Sequence, residues 1–206
     1  MKLALLHTSA LHVPTFNNLL EQTGFESEPT HVVREDLLER ARTNGVTPEL
    51  AAELDAVLAS LDADLILCTC STLGGLAEAH GEHVLRVDRP LAAEAVRLGP
   101  RVVVLATLKS TLSATRALLE EEAAKVPHQV DIRLEVCAEA WPYFEAGDLS
   151  RYHRAVAACL ERLAPAADAL VLAQASMAGA ETLTNLEVPV LSSPTLGVQA
   201  ALKRLA

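Results

Sequence analysis

ADLILCTCSTLG, from Ala63 to Gly74, and ADALVLAQASMAG, from Ala167 to Gly179, are one pattern written twice, the second copy one residue longer. Each opens on Ala-Asp, runs through a short aliphatic stretch and breaks into small polar residues and glycine. An aliphatic run of that length, bounded by turn chemistry, reads as a strand buried on both faces. A chain that repeats such a unit is built from two similar halves.

Working outward, the repeat extends. KLALLHTSALHVPTFNNLLE, starting at Lys2, lies without gaps over RVVVLATLKSTLSATRALLE, starting at Arg101. Leu6 then matches Leu105, Thr8 matches Thr107, and Leu19-Leu20-Glu21 matches Leu118-Leu119-Glu120. Pro90 falls opposite Pro194, each opening a helix in a first turn that tolerates the missing N–H. Short apolar runs predict strands at Leu3–Leu6, Thr30–Val33, Asp64–Leu67, Val84–Val87, Arg101–Ala106, Val130–Glu135, Ala169–Leu172 and Val188–Leu191. The amphipathic stretches between them predict helices, among them Pro48–Leu61, Pro90–Leu98, Ser110–Lys125, Leu149–Leu163 and Pro194–Leu205. The fold class is α/β: two pseudo-symmetric doubly wound domains with parallel four-stranded sheets. The first spans residues 1–98 plus 190–206, so that the last helix returns to it, and the second spans 99–189. Sites in such folds lie beyond the C-terminal ends of strands, which places the expected cleft there.

Bulk properties agree with a packed globular protein. Half of the 206 residues are apolar and only 3% are aromatic, so the core is aliphatic. A formal net charge of −10, with no Lys/Arg-rich run, argues against nucleic acid as a partner. A small carboxylate remains compatible, because helix N-termini hold anions whatever the global charge. Neither an export h-region nor a membrane-length apolar run is present, so the expectation is a cytoplasmic protein with no membrane partner. In that compartment Cys68, Cys70, Cys137 and Cys159 are expected as free thiols.

CTCSTLGG follows a strand and opens a helix, which puts Cys70 where backbone N–H groups favour a thiolate while burial opposes it. Cys70 is therefore the candidate base, acid or nucleophile. Cys68, still inside the strand, reads as structural. His7, at the end of the first strand, is the candidate partner that tunes Cys70 or donates a proton itself. Thr8, Ser9, Ser71, Thr72, Thr107, Ser110, Thr111 and Ser176 fall at or just beyond four strand ends and could cradle a carboxylate, although each could equally be a helix cap. Gln174 is a candidate oxyanion or amide contact. His31, His128 and His153 read as surface or packing residues, and Trp141, Tyr143 and Phe144 as core. No second ligand pair accompanies the two nearby cysteines, so no metal is expected. The absence of P-loop, GxGxxG and GxSxG patterns removes nucleotide, dinucleotide and serine-hydrolase readings.

A strand ending in Cys, Ser and Thr, repeated about a hundred residues on, together with RVDRPLAAEAVRLGPRVVVLATLKST from Arg86 to Thr111, resembles the aspartate/glutamate racemase superfamily over nearly the whole chain. That resemblance implies a cofactor-independent racemase or isomerase of a small carboxylic acid or amino-acid derivative, commonly a homodimer. It implies two cysteines, one per half, that take a proton from one face of the α-carbon and return one to the other. The first maps onto Cys70 and the second onto Ala175, which has no proton to give. One-cysteine relatives such as arylmalonate decarboxylase suggest a lyase as the alternative, and a non-catalytic acid-binding protein of the same fold is the other.

Overall fold

Residues 1–206 are described by a computed structural model. In chain order the elements are β1 (Leu3–His7), α1 (His12–Gln22), β2 (Thr30–Val33), α2 (Glu35–Asn44), α3 (Pro48–Ala59), β3 (Leu65–Cys68), α4 (Ser71–Ala79), β4 (Val84–Arg86) and α5 (Arg89–Leu98). There follow β5 (Arg101–Ala106), α6 (Lys109–Ala123), β6 (Asp131–Val136), α7 (Trp141–Glu145), α8 (Leu149–Leu163), β7 (Ala169–Leu172), a 3₁₀ segment (Ala175–Leu183), β8 (Val190–Ser192) and α9 (Ser193–Leu205). Two four-stranded sheets result, ordered β2-β1-β3-β4 and β6-β5-β7-β8, with every pairing parallel. The same strand order in both is the structural form of the sequence repeat.

The first compact unit comprises Met1–Asp88 and Pro194–Ala206. Its central strands are buried on both faces, and alternation sorts their side chains. Ala4, Leu6, Ile66 and Cys68 face Leu37, Ala41, Leu50, Leu54, Leu58, Leu73 and Ala77 from α2, α3 and α4. Leu3, Leu5, Leu65 and Leu67 face Phe16 and Leu20 of α1 and Val198 and Ala201 of α9. Helix α3 illustrates how local sequence serves this packing. Thr47 caps it by accepting from the Leu50 N–H at 3.3 Å, and Pro48 opens it. Leu50, Leu54 and Leu58, four residues apart, then form one buried stripe, each side chain stabilising the fold by roughly 1.5–3 kcal/mol. Gly45 ends α2 at a φ of +74°, a conformation that suits glycine.

The second unit comprises Arg89–Ser193. On one face of its sheet Val103, Leu105, Leu170 and Leu172 pack with Tyr152, Val156, Cys159 and Leu160 of α8 and with Met177 and Ala180 of the 3₁₀ segment. Helix α8 is capped by Asp148, whose Oδ1 accepts from the Arg151 N–H at 3.0 Å. Phe144 joins the core edge and stacks on Trp141, while Tyr143 stays exposed. The domain boundary differs from the expectation at residues 89–98 and 190–193, which belong to this unit. Helix α5 lies against α6 and β7, and β8 completes the sheet beside β7.

The cysteines also depart from the expectation. Cys137 and Cys159 form a disulfide with their Cα atoms 6.5 Å apart, leaving Cys68 and Cys70 as the free thiols. The pairing follows from packing: Cys137 ends the path out of β6, and the buried face of α8 carries Cys159 against it.

Candidate active site

In the first unit Leu6 of β1 is in register with Cys68 of β3. Two residues further along both chains, Thr8 stands level with Cys70. Cys70 is the N-cap of α4, extended at φ −109° and ψ 114°, and 6% exposed. The thiol makes no formal capping hydrogen bond. Burial pushes its pKa up, opposed by the Thr8 hydroxyl and the N–H groups of Leu73 and Thr72, all of which favour a thiolate. The competition foreseen between burial and helix terminus is thus won by burial, and the resting group is a thiol. Cys68 lies wholly buried in β3 and burial raises its pKa too.

His7 does not join Cys70. Successive strand side chains point to opposite faces, and since Leu6 shares the face of Cys68 and Cys70, His7 turns to the other, against Phe16. There the Thr69 hydroxyl donates to His7 Nδ1 at 2.9 Å, with the Leu6 carbonyl 3.2 Å from the same hydroxyl oxygen. His31 Nε2 donates to Asn17 Oδ1 at 2.7 Å, so the neutral His31 ring accepts at Nδ1 from His7 Nε2 at 2.8 Å. Burial, with His31 and His12 alongside, lowers the His7 pKa to about 3. The ring is a neutral brace on the residue preceding Cys70.

The second unit repeats the arrangement with different chemistry. Leu105 of β5 is in register with Leu172 of β7, so Thr107 stands level with Gln174. Gln174 is the extended N-cap of the 3₁₀ segment, as Cys70 is of α4. The structural counterpart of Cys70 is therefore Gln174 and not Ala175: the extra residue of the second copy falls after the cap, where α-helix gives way to 3₁₀. Gln174 Oε1 accepts from Thr107 N–H at 2.7 Å, the Thr107 hydroxyl at 2.9 Å and Leu108 N–H at 3.3 Å. Three donors on the oxygen fix the amide's orientation and leave its NH₂ as the end that can meet a ligand.

Of the other expected residues, Ser71 is buried and its carbonyl accepts from Arg86, while Thr72 is half-buried. Ser9 accepts from the Leu11 N–H ahead of α1, a local turn role. Thr111 is buried in the first turn of α6, and Ser110 beside it is exposed. Ala175 is buried, and Ser176 Oγ lies 2.9 Å from the Tyr152 hydroxyl. Tyr152, whose hydroxyl is also 3.4 Å from Thr107 Oγ1, went unread in the sequence because its spacing to Val156 and Leu160 is that of core. His153 holds the same turn, donating from Nε2 to the Ser176 carbonyl at 2.9 Å. No helix is long and apolar enough to cross a membrane.

Comparison with solved structures finds the same fold in several racemases. The aspartate racemase of Picrophilus torridus superposes with a TM-score of 0.73 at 15% identity, over 98% of this chain and 93% of that one. The glutamate racemase of Thermus thermophilus gives 0.70 at 19% identity, over 99% and 80%. The allantoin racemase of Klebsiella pneumoniae gives 0.67 at 17% identity, over 100% and 87%. No curated protein matches the chain in sequence. The family model for Asp/Glu/hydantoin racemases matches residues 34–201, which takes in β3 with Cys70 and β7 with Gln174, and the chain belongs to that family.

Proposed function

We propose that this protein is a cofactor-independent isomerase-type enzyme in which Cys70 exchanges a proton at the α-carbon of a small carboxylic acid or amino-acid derivative. The observation that carries the reading is the setting of the Cys70 thiol, at a helix N-cap with the Thr8 hydroxyl and the N–H groups of Thr72 and Leu73 favouring its charged form. Family membership supports racemase-type chemistry in general. A thiolate with a pKa raised by burial is a stronger base than a free one, which suits a weakly acidic C–H bond. In the forward step Cys70, having first released its own proton to solvent, takes the α-proton as the thiolate, the C–H electron pair passes into the carboxylate as an enediolate, and hydroxyl and N–H donors stabilise the developing charge. In the return step the thiol gives a proton back to the same carbon.

Gln174 in place of a second thiol favours a second reading on the catalytic side. An amide cannot supply a proton at neutral pH, so exchange proceeds from one face only, as in a one-cysteine lyase that protonates a carbanion left by decarboxylation. A protein that binds the acid without turnover is the third possibility.

The test is α-hydrogen exchange in deuterium oxide over a panel of aspartate, glutamate, hydantoins and arylmalonates, with Cys70→Ala as control. Exchange with retained configuration, abolished in Cys70→Ala, is expected. Exchange that survives in Cys70→Ala removes the proposal, and neither exchange nor decarboxylation on any acid moves the reading to binding alone.

A further inference from the structure

Gly74-Gly75 sits in the motif that carries Cys70, yet the proposed chemistry gives the pair no role. A Cβ on Gly74 would lie 3.0 Å from Nε and 3.1 Å from Cβ of Arg86, and one on Gly75 would lie 3.5 Å from Nη1. The two glycines let α4 rest directly on a guanidinium. Arg86 is 5% exposed and Asp88 is 3% exposed. Arg86 Nε donates to Asp88 Oδ1 at 2.7 Å and Nη2 donates to Oδ2 at 3.0 Å, a two-pronged pair. Nη2 also donates to the Ser71 carbonyl at 3.4 Å, in the peptide that follows Cys70.

Burying two charges seldom stabilises a fold more than apolar residues of the same volume would, because desolvation offsets the attraction. The position of this pair supplies another reason for it. The groups acting on Cys70 are Thr8 from the end of β1, the Thr72 and Leu73 N–H groups of α4, and Asp88 beyond β4, with Cys68 coupled to it from β3. Among them the Asp88 carboxylate opposes a thiolate, and the guanidinium is its direct counter-charge.

We propose that Arg86 and Asp88 are positioning residues for Cys70: the guanidinium fixes the Ser71 carbonyl, and with it the turn bearing the thiol, and neutralises a carboxylate that would otherwise suppress the thiolate. The catalytic meaning of this assignment rests on the reading of Cys70 as the reacting group. Its electrostatic content does not, and is measured without any substrate.

The experiment follows the thiolate of Cys70 by ultraviolet absorbance against pH, in a Cys68→Ala background with Cys68→Ala/Cys70→Ala as blank. Asp88→Asn keeps an acceptor oxygen for Nε and removes the carboxylate charge that opposes the thiolate, so the apparent pKa should fall by about one pH unit. Adding Arg86→Gln should return it toward the parent value. Where Asp88→Asn does not fold, Arg86→Gln compared with the double variant reads the same coupling with the opposite sign, the bare carboxylate raising the pKa by about one unit. A pair with a purely structural role would leave the thiol unmoved or shift it alike in single and double variants, and either result overturns the proposal. Signed couplings alongside an absence of exchange in every acid would uphold the positioning role while removing the proposed reaction.

Discussion

The imidazoles of His7 and His31 lie nearly parallel and meet edge to edge, ring centroids 5.1 Å apart, with His7 Nε2 donating to His31 Nδ1 at 2.8 Å. A second proton on His7 would place a charge inside the fold, away from water. Burial holds its pKa at about 3 and that of His12 at about 4, whereas in an unfolded chain both titrate near 6.5. Between those values the unfolded chain binds more protons, so stability rises with pH and is lost as pH falls from about 6.5 toward 4. Each histidine contributes a slope of up to about 1.4 kcal/mol per pH unit. Carboxylates held low by arginine, such as Asp36 and Glu53, add a slope of the same sign at the acid end of this window, and Glu181, raised by burial, opposes the trend by one proton at most. Urea unfolding at several pH values should show this slope, and His7→Asn should flatten it. An unchanged slope would contradict the assignment.

Position 174, rather than 175, is where a restored thiol should matter. Gln174→Cys places one at the residue that corresponds to Cys70, and is expected to convert retention into racemisation on whichever acid undergoes exchange. Ala175→Cys should leave the stereochemical outcome as it is. Chiral chromatography of the exchange products separates the two results.

Sequence carried the fold because its strands are dense aliphatic runs and its halves repeat, so the Leu6–Leu105 and Thr8–Thr107 equivalences survive in three dimensions. It carried the site less well, for identifiable reasons. The one-residue insertion in the second copy could be placed before or after the cap, and only the Leu105–Leu172 register puts it after Gln174. His7 and Thr8 are neighbours in sequence, but pleating assigns them to opposite faces, a signal that strand alternation already contained. Tyr152 hid within an apolar stripe. The Cys137–Cys159 pairing depends on how α8 seats beside the exit of β6, which no spacing reveals.

Tyr152→Phe removes a buried hydroxyl that joins Ser176 and Thr107 and leaves the ring in place. A loss of about 1 kcal/mol is expected in chemical denaturation. Tyr152→Ala, which also empties its space, should cost about 3–5 kcal/mol. A Tyr152→Phe variant as stable as the parent would mean that the hydroxyl contributes nothing.

The disulfide gives a direct count. Thiol titration of the denatured, unreduced protein should find the two free cysteines, Cys68 and Cys70, and four after reduction. Replacing Cys137 and Cys159 by alanine frees a loop with a sequence separation of 22, with an expected loss of about 3 kcal/mol. Four thiols before reduction would refute the bond.

Gly197 in α9 faces Val87 so closely that an added Cβ would stand 2.5 Å from Val87 Cγ2 and 2.7 Å from its carbonyl oxygen. Gly197→Ala should therefore destabilise the first unit by about 1–3 kcal/mol. Hydrogen exchange should show the loss first in β4 and α9. A variant as stable as the parent would mean that this helix seats less tightly than its packing indicates.

The return of α9 to the first unit also bears on biosynthesis. Leu3, Leu5, Phe16 and Val87 are covered on one side by Val198 and Ala201, residues made only after all of Arg89–Ser193 has been translated. The later unit, continuous in sequence, is fully synthesised before the earlier one, which has its four strands but still lacks α9. At ribosomal speeds the wait lasts roughly 5 to 20 s. During it the nascent first unit carries an uncovered aliphatic face, which makes this stretch of synthesis the natural moment for chaperone engagement.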